Sequence, residues 1–122
     1  MTIVTAPIRT LDDLRGRQAV VFGLARSGCA AARLLSDSGA EVTVYDRRPA
    51  GELANEVARL GDRAIHLALG IPEDEARALI RRGDLLVTSP SISPDFPTTD
   101  PWLRAALAEA IERGVELVSE VE

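Results

Sequence analysis

A short apolar run that ends in a glycine turn and reopens as a helix constrains this chain more than any other feature. Ala19-Val20-Val21-Phe22 suits a strand buried on both faces. Gly23 breaks the run, and Gly23-Leu24-Ala25-Arg26-Ser27-Gly28 keeps the G-x-G-x-x-G spacing with alanine at the middle glycine. From Gly28 the period of the apolar residues changes. Gly28, Ala31, Ala32 and Leu35 fall at i, i+3, i+4 and i+7, one stripe of a helix.

Such a junction suits phosphate. The first turn of a helix leaves N–H groups without intrahelical partners, and the helix dipole adds partial positive charge there. A turn without bulky side chains lets a phosphate reach those donors. Gly23 is expected to make the turn and Gly28 to let helix and strand pack closely, whereas the Ala25 methyl restricts how near a pyrophosphate comes. The bland alternative is a plain strand–helix turn. A second clue follows the next strand, Glu41-Val42-Thr43-Val44-Tyr45, which ends at Asp46, 18 residues beyond Gly28. An acidic residue near that distance at the tip of the second strand of a βαβ unit hydrogen-bonds a ribose or base. Arg47 and Arg48 follow it, and arginine there receives a ribose 2′-phosphate or stacks on a base. All three also read as an ordinary solvated loop.

The rest of the chain continues the alternation. Leu11 to Gly16 reads as one helical turn, and residues 1 to 17 otherwise carry little signal. Leu53, Val57 and Leu60 predict a second helix, ended by Gly61. Arg63 to Leu69 predicts a short strand, with His66 as a surface or edge-strand histidine. Pro72 opens a third helix with Glu73, Asp74 and Glu75 in its first turn, Arg81 and Arg82 in its last, and Gly83 as its stop. Asp84 to Thr88 is a fourth strand. It enters a loop from Ser89 to Pro97 whose prolines and serines exclude regular structure. Ser89 and Ser91 stand where a parallel sheet binds ligands, at the carboxyl end of a strand. Asp100 is expected to cap a last helix with Pro101 in its first position and a buried stripe of Leu103, Leu107, Ala110 and Ile111. Val115 to Val118 predicts a fifth strand. Strands alternating with helices predict an α/β, Rossmann-like, doubly wound five-stranded parallel sheet of order 3-2-1-4-5.

Composition narrows the chemistry. At 122 residues the chain suits one domain with a modest core. Its net charge of -5 argues against a nucleic-acid partner. No apolar run is long enough to span a membrane, and the first residues lack the pattern of a signal peptide, so the cytoplasm is the expected location. All 14 basic residues are arginine. Without lysine there is no P-loop lysine, Schiff base or carbamylated lysine. The single Cys29 reads as a small core residue among alanines.

The blocks VVFGLARSGCAAARLL, VYDRRP, GDLLVTSPSI and RGVELVSEVE together resemble the N-terminal domain of the UDP-N-acetylmuramoylalanine–D-glutamate ligases, a branch of the Mur ligase family of peptidoglycan synthesis. The resemblance covers nearly the whole chain from Arg15. It implies that residues 1–122 form the domain that holds the UDP part of UDP-N-acetylmuramoyl-L-alanine. Central ATPase and C-terminal domains lie outside this stretch, and the stop at Glu122 is expected to fall just before the former. By similarity the N–H groups of Arg26 and Ser27, in the turn with Gly23, Ala25 and Gly28, hold the pyrophosphate. Asp46, Arg47 and Arg48 surround uracil and ribose, and Ser89 and Ser91 reach towards the N-acetylmuramoyl part. Two positions depart from the family pattern: Ser91 replaces the glycine of SPGI, and Arg47 stands where a small polar residue occurs. The implied reaction activates the substrate carboxylate with ATP as an acyl phosphate, which the D-glutamate amine attacks with Mg2+ and a carbamylated lysine assisting. This stretch holds no cofactor or metal on that reading, carries no catalytic residue and is inactive alone. Two other classes use the same turn: an NAD(P)-binding oxidoreductase module and a non-enzymatic nucleotide-sensing domain.

Overall fold

The computed structural model describes residues 2–4, 14–88 and 100–121. Its strands are β1 (Thr2–Val4), β2 (Gln18–Phe22), β3 (Glu41–Asp46), β4 (His66–Leu69), β5 (Leu85–Thr88) and β6 (Glu116–Val121). Its helices are α1 (Arg26–Asp37), α2 (Ala54–Arg59), α3 (Glu73–Arg82) and α4 (Pro101–Glu112), with a 3-10 turn at Ala50–Glu52 before α2. One sheet runs β1-β6-β5-β2-β3-β4. The five strands from β2 to β6 are mutually parallel, and counted from β2 their order is the expected 3-2-1-4-5. The N-terminal stretch adds a sixth strand that its sequence does not announce. Thr2, Ile3 and Val4 pair antiparallel with Val121, Glu120 and Ser119 at the edge of β6. Three residues are too few to show a period, and their partner lies at the far end of the chain. The helical turn expected over residues 11–16 lies partly outside the described residues. Within it Leu14 is buried and its carbonyl accepts the Arg17 N–H at 3.1 Å.

β2 sits at the centre because both of its faces are apolar. Ala19 and Val21 join Val42, Val44, Leu85 and Val87 under α1 and α2, where Cys29, Ala31, Ala32, Leu35, Leu53 and Leu60 pack. Val20 and Phe22 join Tyr45 and Leu86 on the other face, under Ala76, Leu79 and Ile80 of α3 and Leu103, Ala106, Leu107 and Ala110 of α4. Cys29 is thus the core residue that its alanine neighbours predict. His66 stands exposed on edge strand β4.

The helix ends separate conformational from steric uses of glycine. α1 stops in a Schellman arrangement: Gly39 takes φ 93°, its N–H bonds Ser36 C=O at 3.1 Å, and Ala40 N–H bonds Leu35 C=O at 3.1 Å. Gly83 ends α3 as expected, its N–H bonding the Leu79 and Ile80 carbonyls, but the left-handed conformation that favours glycine is absent, since its φ is -74°. A Cβ there would stand 3.0 Å from Val20 Cγ2 and 3.2 Å from Leu86 Cδ2, a tight fit in which those side chains must give by a few tenths of an ångström where α3 runs into β5. The expected Asp100 cap on α4 is also absent. Its side chain makes no bond to the helix and pairs instead with Arg47.

The buried stripe of α4 is shifted from expectation. Leu103, Leu107 and Ala110 are buried as expected, but Ala106 is buried with them and Ile111 is 43% exposed. At about 100° per residue Ile111 lies roughly 80° round the helix from Leu103, while Ala106 lies roughly 60° the other way. α4 is apolar on most of its circumference, so the sequence alone does not mark the edge of the stripe. Leu107→Ala is expected to cost about 2–5 kcal/mol and Ile111→Ala well under half of that, measured by urea unfolding. Similar losses from the two would contradict this packing.

Candidate functional site

The site is assembled where β2 and β3 end. Gly23 leaves β2 at φ 92°, a conformation open to glycine and costly for other residues, while its N–H still bonds Tyr45 C=O at 2.8 Å. The chain then turns away from β3, and the next amide, that of fully buried Leu24, has no backbone carbonyl opposite it. The Asp46 side chain takes that place, its Oδ2 accepting Leu24 N–H at 2.9 Å. A carboxylate therefore ties the turn after β2 to the end of β3.

Ala25 follows as the residue before α1, exposed and extended at φ -107° and ψ -169°. That conformation suits an L residue, which explains why alanine serves at the middle glycine of the pattern. α1 then begins at Arg26. No acidic residue lies in its first turn, and Ala25 has no polar side chain with which to cap it. α3, by contrast, carries Glu73, Asp74 and Glu75 in its first turn. The N–H groups at Arg26, Ser27 and Gly28 thus start a helix that receives no acidic or capping side chain from its own first turn. Gly28 is buried against the turn, and a Cβ on it would overlap the Gly23 carbonyl oxygen and stand 3.1 Å from its carbon. That close approach holds the start of α1 against the end of β2.

The residues after β3 are tied inward. Asp46 is 6% exposed, and its Oδ1 accepts Arg48 N–H at 2.9 Å and Arg48 Nε–H at 3.1 Å. Oδ2 also accepts from Arg48 Nη2 at 2.9 Å. Burial opposes ionisation of this carboxyl, but the Arg48 guanidinium, the Arg48 N–H and the Leu24 N–H outweigh it and hold its pKa below the usual aspartate range. Arg47 extends into solvent and meets Asp100 at 3.4 Å, joining the end of β3 to the start of α4. Gly70 N–H bonds Asp46 C=O at 2.9 Å and fixes the far side of the same residue.

The structure thus brings Gly23, Ala25, Arg26, Ser27, Gly28, Asp46, Arg47 and Arg48 to the carboxyl ends of β2 and β3. Ser89 and Ser91 lie outside the described residues. Sequence reasoning misses two features here. Phe22, Tyr45 and Trp102 form an edge-to-face series with centroids 6.0 and 6.1 Å apart, and the Arg77 guanidinium lies 5.9 Å from the Trp102 ring. This series seats the start of α4 on β3; burial, with Asp100 and Asp46 nearby, raises the Tyr45 pKa. Second, the Thr88 hydroxyl at the end of β5 is buried and has no hydrogen-bond partner among the described residues. Its only sequence signal is its place just before Ser89. A separate groove of about 560 Å³ lies under α3 towards the amino ends of the strands, lined in part by Gln18, Thr43, His66 and Arg82. It shares no residue with the glycine turn.

Two outcomes follow for stability. Gly28→Ala is expected to cost about 1–3 kcal/mol, as overpacking does, seen as a lower urea midpoint. An unchanged midpoint would mean that α1 does not abut the turn. The folded-state pKa of Asp46 lies below its unfolded value, so its stabilisation is complete above about pH 4 and is lost as pH falls through the folded value. Asp46→Asn should therefore destabilise the protein more at pH 7 than near pH 3 in urea titrations. An equal loss at both would contradict the depressed pKa.

Comparison with known proteins fits this geometry. The family model described as "Mur ligase MurD-like, N-terminal domain" matches residues 17–119. The UDP-N-acetylmuramoylalanine–D-glutamate ligase of Halalkalibacterium halodurans is 38% identical over 91% of this chain and 22% of its own length. That of Geobacillus kaustophilus is 40% identical over 87% of this chain and 21% of its own length. The chain thus spans about a fifth of these curated relatives. Among solved structures, a dipicolinate synthase of Bacillus halodurans aligns with a TM-score of 0.54 at 21% identity, over 88% of this chain and 40% of that one. That likeness concerns the Rossmann-like fold alone. Together with the glycine turn and its position in the sheet, the match over most of its length makes this chain a member of the MurD-like N-terminal domain family of the Mur ligases.

Proposed function

We propose that this chain holds the UDP part of UDP-N-acetylmuramoyl-L-alanine for a ligase that adds D-glutamate in peptidoglycan synthesis. The observation that carries the reading is the start of α1, where a glycine turn leads into first-turn donors that, among the described residues, no capping or acidic side chain occupies. A pyrophosphate suits that place, held by the N–H groups of Arg26 and Ser27. Uracil and ribose would lie over the end of β3, beside Asp46, Arg47 and Arg48. Ser89 and Ser91 would face the N-acetylmuramoyl part.

The role of such a domain is positioning. Binding energy gathered on the nucleotide, remote from the reacting carboxylate, holds that carboxylate where other domains act on it. ATP, Mg2+ and the carbamylated lysine of the ligase reaction belong to those domains on this reading. The chain has no lysine to contribute. The reaction would be an ADP-forming acid–amino-acid ligation in the cytoplasm, with this domain inactive by itself. Among the described residues no helix is long and apolar enough to cross a membrane.

Charge at the end of β3 bears on the NADP alternative. Arg48 is engaged by Asp46 and Arg47 faces Asp100, so the two cations are balanced by two carboxylates. Among the described residues a 2′-phosphate finds no net positive charge in Asp46, Arg47, Arg48 and Asp100 unless those pairs open. Calorimetric titration with UDP-N-acetylmuramoyl-L-alanine, UDP, NAD and NADP in parallel tests the proposal. Binding of the uridine compounds alone is the expected result. Preference for NAD or NADP, or no preference, would contradict it.

A further inference from the structure

We infer that Asp46 serves the nucleotide as a positioning residue, a clamp that joins the glycine turn to Arg48, rather than as a direct hydrogen-bond acceptor for ribose or base. The inference rests on the nucleotide reading above and specifies how one residue contributes to it. A carboxylate has about four lone-pair positions. At Asp46 four donors are already present: Leu24 N–H and Arg48 Nη2 on one oxygen, Arg48 N–H and Nε–H on the other. The side chain is also buried, so a ligand hydroxyl reaches it only by displacing Arg48.

The bond to Leu24 has the larger consequence. Gly23 N–H makes the last backbone rung to β3, and the φ of 92° at Gly23 then directs the chain away. Leu24 N–H is the next donor, buried on a fully buried residue. Without the carboxylate it has no acceptor, and a buried unpaired amide is costly enough to move the backbone that carries it. Ala25, Arg26 and Ser27 follow directly, so Asp46 determines where the donors at the start of α1 point. Through Arg48 the same carboxylate orders the backbone after β3. One side chain thus sets the spacing between the phosphate end and the nucleoside end of the crevice.

The test uses Asp46→Ala, Asp46→Asn and Arg48→Ala. Leu24 amide hydrogen exchange is followed by NMR, and UDP and inorganic pyrophosphate are titrated by calorimetry. The clamp predicts that Asp46→Ala weakens UDP and pyrophosphate alike, by about tenfold, the size of one charge-assisted hydrogen bond. Leu24 exchange should rise by at least as much, while Val20 and Val21 keep their protection. Arg48→Ala, which leaves the Leu24 bond in place, should change neither Leu24 exchange nor pyrophosphate affinity. Asp46→Asn retains an acceptor oxygen and should restore most of both, which also covers the case in which the alanine variant fails to fold. Wild-type pyrophosphate affinity in Asp46→Ala with weakened UDP would overturn the clamp in favour of direct contact, as would unchanged Leu24 exchange. If the wild type binds neither probe, the nucleotide reading fails, and Leu24 exchange still decides whether Asp46 holds the turn.

Discussion

The close approach of Gly28 to the Gly23 carbonyl is the constraint on which the rest of this structure depends. No side chain fits between α1 and the end of β2, so the helix starts directly on the turn. With α1 seated there, Ala31, Ala32 and Leu35 pack on Ala19, Val21, Val42 and Val44, and β3 is drawn in beside β2. The same contact places the first-turn donors of the helix at the carboxyl edge of the sheet. On the proposed function, stability and binding share one geometric requirement, and a change that relaxes it is expected to affect both.

Asp46 solves the problem that this arrangement creates. The turn at Gly23 takes the next amide, that of Leu24, out of the alternation of the sheet, and that amide is buried with the core. A carboxylate is costly to bury alone. Here the amides of Leu24 and Arg48 and the Arg48 guanidinium surround it, which keeps it ionised and makes it a fixed part of the turn. Arg47 and Asp100 form a looser tie on the solvent side, exposed and worth little in stability. The carboxyl edge of the sheet is thus tied closely between β2 and β3 and more loosely to the start of α4.

Much of this was legible in the residues. The central strands announce themselves as apolar runs, the glycine spacing marks the turn, and the distance from Gly28 to Asp46 places an acid at the end of β3. What escaped the sequence depends on contacts between distant residues. Thr2–Val4 becomes a strand only because the end of β6 offers an edge. Asp100 has the residue type of a cap, yet Arg47 draws its side chain away. Gly83 stops its helix as expected, while the tight fit of that position against Val20 and Leu86 shows only in the packed structure. Asp46 has the right spacing for a ligand contact, while its burial and the capture of Arg48 emerge only when β2 and β3 are side by side. The Phe22–Tyr45–Trp102 series likewise joins three elements that no local window connects.

Family membership accounts for the turn, the sheet and their order; occupation of the crevice by a uridine diphosphate is the central proposal. The most direct test is a UDP titration of the isotopically labelled protein followed by amide chemical shifts. The largest shifts are expected at Arg26, Ser27 and Gly28, with a second group at Arg47 and Arg48. Shifts confined to the groove lined by Gln18, Thr43, His66 and Arg82, at the other end of the sheet, would contradict it.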